Sequence, residues 1–435
     1  MRAILALVLA AALGGCSDDD APTDGGAEVG ADLAVDLAGD AAVDSVVGDV
    51  AVDAGDGGAL PRVGPLHQLP LLPAEAPALP FNHSAETTIA ADGDRVAVAF
   101  INMRFAGADT FDTTGFHKRV GVALSADGGE SYASATIDPG GGDQTTDPVL
   151  RAAADGSFWL ATWDTAAGEG ALLSSADHGA TWSVVASGIG LGDKEWIAID
   201  DAGSSVFIGA LAGYWRFGFD GALLGKHAAD GDFMVGGYAV DGAAHLLSAQ
   251  SGVFRVRRWD GASAPVVEGA ELAGGKLGAD LNVCGSIGRT VDGAQWIVRA
   301  LRSEGQGSVA LRVRRPPDDE GQELAISTPG KLAFMPAATL DGVGRMHVIW
   351  YEDGALLYAR SETSDLAAGF AEPLVIDPQA CPPPPWYPSA TSSDGGRRLR
   401  EYVDITVAGA RAHLSWTHAP GPPSRVHATY VAFAL

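Results

Sequence analysis

The chain has 435 residues, of which 55 are Asp or Glu and 28 are Lys or Arg, a formal charge of −27. Such a chain is repelled by phosphate backbones, which excludes nucleic acid as a partner, and it holds no run of about 20 apolar residues that would cross a bilayer as a helix, which excludes a polytopic membrane protein. With 58 glycines, 24 prolines and 47% hydrophobic residues, the balance is that of many short strands joined by tight turns around a sizeable core.

The N-terminus reads as an address. Arg2 precedes a short apolar run from Ala3 to Leu13, then Gly14, Gly15 and Cys16, which is the layout of a secretory signal peptide and too short for an anchor. Leu13-Gly14-Gly15-Cys16 resembles the bacterial lipobox. The resemblance implies that residues 1–16 end at a cysteine that is acylated and opens the mature chain, and Ser17 after it points to the outer rather than the inner membrane. Residues 17–62 follow as a linker. Residues 17–60 hold twelve acidic side chains and no basic one, with Asp32, Asp36, Asp40 and Asp44 at every fourth position. With no aromatic group to bury and like charges throughout, the segment is expected to be an extended tether.

From residue 63 to 435 one pattern recurs. An apolar strand, a glycine turn and an alternating strand appear around Gly93, Gly156, Gly203, Gly242, Gly293, Gly342 and Gly409. Asp-Gly and Ala-Gly between alternating strands are hairpin signals, because glycine accepts the positive φ of a two-residue turn. One or two further strands follow each hairpin, such as Arg119–Leu124 and Val253–Trp259. Each repeat therefore reads as a four-stranded antiparallel sheet. Sheets repeated in this way form an all-β propeller, with seven blades expected and six as the alternative if the third and fourth units merge. The last unit lacks a strand, which residues 64–72 are placed to supply.

Two turns after third strands share a finer pattern, Ser125-Ala126-Asp127-Gly128-Gly129-Glu130-Ser131-Tyr132 and Ser175-Ala176-Asp177-His178-Gly179-Ala180-Thr181-Trp182. They resemble Asp boxes, the Ser-x-Asp-x-Gly-x-Thr-Trp repeat of sialidase-like propellers. Fainter versions stand at Asp220-Gly221, Asp260-Gly261 and Ser364-Asp365. The resemblance, over about residues 80–435, implies that these turns lie on the face opposite the ligand site.

Loops entering the innermost strand of each blade, and those joining its second and third strands, emerge on one face. The residues assigned to that ligand face are Glu86, Arg104, Arg119, Asp147, Trp163, Asp164, Glu195, Trp196, Tyr351, Glu352, Tyr402, Trp416 and His418. Aromatic rings among carboxylates and arginines suit the apolar face and the hydroxyls of a sugar. A sialidase, by resemblance, clamps a substrate carboxylate with three arginines and attacks with a Tyr–Glu pair. This chain departs from it: Ser84-Ala85-Glu86-Thr87 stands where the first clamp arginine belongs. Tyr402 and Glu401 are sequence neighbours that point to opposite sides of a strand, which leaves Glu195, from another blade, as the candidate partner of Tyr402.

The expectation is a glycan- or protein-binding propeller held to the membrane only by its lipid and monomeric, with an exo-glycosidase of sialidase type as the alternative. No cofactor is required. A ring of Glu86, Asp147, Glu195 and Asp232 is the one place calcium would fit. Cys284 and Cys381, alone after processing in an oxidising envelope, are candidates for a disulfide.

Overall fold

The computed structural model describes residues 66–69, 81–105, 117–137, 144–193, 195–229, 231–250, 252–274, 285–303, 306–315, 321–381, 402–418 and 427–435. Residues 1–16, with the expected signal peptide and Cys16, and the whole of the expected linker, residues 17–62, lie outside the described residues.

The described chain forms seven antiparallel sheets in a ring, a seven-bladed β-propeller. Blade 1 is Phe81–Asp92, Arg95–Phe105, His117–Ser125 and Ala133–Thr136. Blade 2 is Thr145–Ala152, Phe158–Asp164, Glu169–Ser175 and Ser183–Ile189. Blade 3 is Trp196–Asp200, Ser205–Ala210, Gly213–Gly218 and Leu223–Ala228. Blade 4 is Phe233–Val240, Ala243–Gln250, Val253–Trp259 and Val266–Val267, with Leu272–Ala273 also paired to its third strand. Blade 5 is Gly285–Arg289, Gln295–Ser303, Gln306–Arg314 and Gln322–Ala325. Blade 6 is Ala333–Leu340, Met346–Glu352, Ala355–Arg360 and Leu374–Asp377. The third and fourth units are separate sheets, so the six-bladed alternative falls away.

Blade 7 takes Asp404–Ala408, Arg411–His418 and His427–Ala434 from the C-terminal end and His67–Gln68 as its outer strand. His67 pairs with Tyr430 and Gln68 with Thr429. The next residue, Leu69, is 1% exposed and packs with Ile89, Phe100 and Tyr430 at the junction of blades 7 and 1. The closing strand thus covers what would be an open edge and ties residues more than 350 positions apart into one core.

The first strands of successive blades contact one another around the ring and line a central channel. Each runs from the loop face, where it begins, to the hairpin face, where it turns back. The hairpin turns use the expected left-handed backbone at Gly93, Gly156, Gly242, Gly293 and Gly409. In blades 3 and 6 the left-handed residue falls instead at Ser204 and Gly344. Between blades the core is filled by large side chains such as Trp159, Trp259, Trp350 and Trp416, as close packing of sheet faces requires. Among the described residues no helix is long and apolar enough to cross a membrane.

The turns that resemble Asp boxes are wired alike. Ser125 Oγ donates to Asp127 Oδ1 at 2.6 Å and accepts from Gly129 N at 2.8 Å, while Asp127 accepts from the backbone and hydroxyl of Ser131. Ser175, Asp177, Gly179 and Thr181 repeat every one of these bonds. A side chain at Gly129 would overlap the Tyr430 hydroxyl, and φ there is +93°. The closing aromatics pack inward: Tyr132 stands edge-on to Tyr430 with centroids 4.7 Å apart, and Trp182 lies against the core of blades 1 and 2. The fainter copies keep only the aspartate turn, with Asp220, Asp260 and Asp365 accepting from backbone N–H groups two or three residues on. All of these turns join third to fourth strands and so lie on the hairpin face.

Candidate functional site at the loop-face end of the channel

The first strands of blades 1, 2 and 6 slip register just after they begin, between Ala85 and Thr88, Thr146 and Val149, and Phe334 and Ala337. Inside each slip one non-glycine residue is left-handed: Glu86 at φ 55°, Asp147 at 50° and Met335 at 50°. Tyr402, two residues before the first strand of blade 7, adopts the same conformation at 75°. Such bulges re-aim side chains and cost energy that the surrounding structure must supply.

Their product is a buried acidic cluster around one phenol. Tyr402 is 4% exposed, and burial, reinforced by the charges of Asp147, Glu195, Glu86 and Asp193, holds its hydroxyl well above the ordinary phenol range. All four carboxylates are themselves buried. The Trp196 ring lies 6.2 Å from that of Tyr402, centroid to centroid, and Trp163 packs into the same cluster of side chains. Tyr402 and Glu195 are therefore brought together as the sequence suggested, but the field keeps the phenol protonated. Burial and those charges both disfavour the phenolate that nucleophilic attack would need.

Just below, Arg151 crosses the channel. Its guanidinium carbon sits 4.6 Å above the Trp196 ring, and its Nη1 donates to Asp404 Oδ2 at 2.8 Å and to Leu150 O at 2.6 Å. Asp404 Oδ2 also accepts from Ile89 N at 3.1 Å. Burial raises the Asp404 carboxyl, with Arg151 pulling the other way. Sequence reasoning missed Arg151, Asp404 and Asp193. The available signal was a charged residue inside each of two apolar first strands, Pro148-Val149-Leu150-Arg151-Ala152 and Tyr402-Val403-Asp404-Ile405.

The remaining assignments divide. Tyr351 is fully buried and its hydroxyl donates to Thr417 O at 2.8 Å; Glu352 accepts from Thr328 N and Trp350 Nε1; Trp416 is fully buried and donates to Asp377 at 3.0 Å. These three are blade-packing residues, because the ends of second strands are covered by the neighbouring blade. Asp164 accepts from Ala166 N and Ala167 N and so shapes its own turn. His418, at the loop-face end of a second strand, has Nδ1 2.6 Å from Asp377 Oδ2. Arg119 is half-buried on a third strand. The Arg104 side chain and Cys284 lie outside the described residues, as does Glu401.

The proposed calcium ring loses Asp232, which is bound by Arg257 Nη2 and Ser248 Oγ, both at 2.8 Å. Among the described residues no group of three or more His, Cys, Asp or Glu side chains is arranged to hold a metal ion. Cys381 is a free, buried thiol rather than half of a bridge, and burial, with the charge of Asp377, pushes it up to about 12.

No family model matches the chain, and no curated protein matches it. Solved structures similar to it include a protein of unknown function from Dyadobacter fermentans, at 10% identity and TM-score 0.48, covering 85% of this chain and 99% of that one. NanB in complex with optactamide is similar at 12% identity and TM-score 0.45, over 85% of this chain and 70% of that one. The GH93 α-L-arabinofuranosidase of Fusarium graminearum with arabinobiose is similar at 10% identity and TM-score 0.44, over 81% and 95% respectively.

Proposed function

We propose that this chain is a lipid-anchored envelope protein, fixed through Cys16 and held off the outer membrane by the acidic linker of residues 17–62. Its propeller, read as sialidase-like on the strength of the two serine–aspartate turns, binds a glycan or protein ligand at the loop-face end of the channel. The observation that carries the binding reading is Tyr402 buried among Glu86, Asp147, Asp193 and Glu195 beside Trp196. An aromatic wall with carboxylate acceptors matches the apolar face and hydroxyls of a neutral sugar, or a cationic side chain of a protein. A sialoside carboxylate meets like charge there, with no cluster of guanidinium groups around Tyr402 among the described residues to offset it.

The exo-glycosidase alternative draws on one observation, the charge of Glu195 acting on the Tyr402 hydroxyl. The raised phenol weighs against it, because attack needs the phenolate.

The test is a glycan array probed with the purified full chain and with Tyr402→Phe, alongside a fluorogenic sialoside and neutral aryl glycosides. Binding to neutral glycans that Tyr402→Phe weakens, with no turnover, supports the proposal. Turnover of any of these substrates that Tyr402→Phe abolishes overturns it in favour of the glycosidase.

A further inference from the structure

Around Arg151 the channel holds a cavity of about 330 Å³, at the small end of the ~300–1,000 Å³ range of ligand pockets. It is lined by first-strand residues of all seven blades, including the polar residues Tyr238, Ser286, Thr339 and Thr406 and the carboxylate-bearing Asp404, and Arg289 rims it toward the hairpin face; Ser286 Oγ also accepts from Ala338 N at 3.0 Å. Arg151 belongs to the same lining. Two contacts through Nη1 and the Trp196 ring fix its guanidinium. Among the described residues its Nε and Nη2 make no hydrogen bond, so one edge of a positioned, permanently charged fork is left over.

We infer that this cavity is a binding site for a small hydroxycarboxylate of sugar-acid size, its carboxylate received by Arg151 and its hydroxyls by the Ser286, Thr339 and Thr406 side chains. The fork matches a carboxylate in two-point geometry, and holding it in advance removes most of the ordering cost of binding. The lining holds two guanidinium groups, Arg151 and Arg289, against the one carboxylate of Asp404, whereas the Tyr402 cluster is acidic, so one channel offers two sites of different preference. This site stands independently of the reading given to Tyr402.

The test is calorimetric titration of the purified full chain with glucuronate, and with glucose as the uncharged control, at low and high salt. Glucuronate is expected to bind, more weakly at high salt, and glucose to give no heat. The double variant Arg151→Gln/Asp404→Asn removes both charges together and is expected to lose at least about tenfold in affinity, whereas Val291→Ala, at a position 92% exposed, leaves glucuronate affinity unchanged. Should the double variant not fold, Arg289→Ala, an exposed position, carries the test and is expected to weaken binding. No heat with glucuronate, equal heat with glucose, or unchanged affinity in the variant that folds overturns the inference.

Discussion

Arg151 and Asp404 meet at 2.8 Å across 253 positions of sequence, joining blade 2 to blade 7 over the open channel. Asp404 is almost wholly buried and Arg151 keeps 23% side-chain exposure, so the pair is costly to break and cheap to replace. Asp404→Ala, which strands the guanidinium, is expected to cost about 3–5 kcal/mol, whereas Arg151→Met/Asp404→Leu is expected to cost far less than that single change. Urea unfolding of both variants measures this; equal losses contradict it.

The two serine–aspartate turns give the protein an acid-side dependence of stability. Hydrogen bonds from Thr181 and Ser175 hold Asp177 down to about 2, and those from Ser125 and Ser131 hold Asp127 lower still. A depressed folded value stabilises above the unfolded carboxylate value, near 3.9, and that stability is lost as pH falls through the folded one. Melting temperature is expected to drop between about pH 4 and pH 2, less steeply in Asp127→Asn/Asp177→Asn. Asp404, raised by burial, contributes the opposite slope, with stability falling as pH rises through its folded value. Superimposable acid limbs for wild type and the double variant contradict the assignment to these turns.

Much of the fold was legible because its determinants are local. Glycine turns and period-two alternation fix hairpins, and hairpins repeated seven times leave a ring as the way to cover their faces. The missing strand of the last blade was legible for the same reason, since an incomplete sheet has an edge to cover. The site was legible in part. Glu86, Asp147, Glu195, Trp196 and Tyr402 were expected on one face because first-strand entries converge by topology, and the structure gathers them near Tyr402. Tyr351, Glu352 and Trp416 were misassigned because whether a residue at the end of a second strand faces the opening or the next blade is set by inter-blade packing, which has no sequence period. Arg151 and Asp404 were missed because their pairing spans the ring.

Closure of the ring by the N-terminal strand has a measurable worth. Leu69→Ala removes a fully packed side chain at the junction of blades 7 and 1 and is expected to cost about 2–5 kcal/mol. Val291→Ala, at a position 92% exposed, is expected to stay within about 0.5 kcal/mol. Urea unfolding of the two proteins gives the comparison, and similar losses contradict a stabilising role for the closing segment.

Anchoring is tested by metabolic labelling with a radioactive fatty acid. The wild-type chain is expected to incorporate label and to sediment with outer membranes, and Cys16→Ser to do neither. Label retained by Cys16→Ser contradicts the anchor assignment.

The most direct measurement is diffraction from crystals of the full chain soaked with the glycan that binds most strongly. Ligand density over the Trp196 ring, within hydrogen-bond distance of Tyr402 and its surrounding carboxylates, is the predicted result. Density confined to the hairpin face or to the outer strands, with the channel mouth empty, contradicts the account.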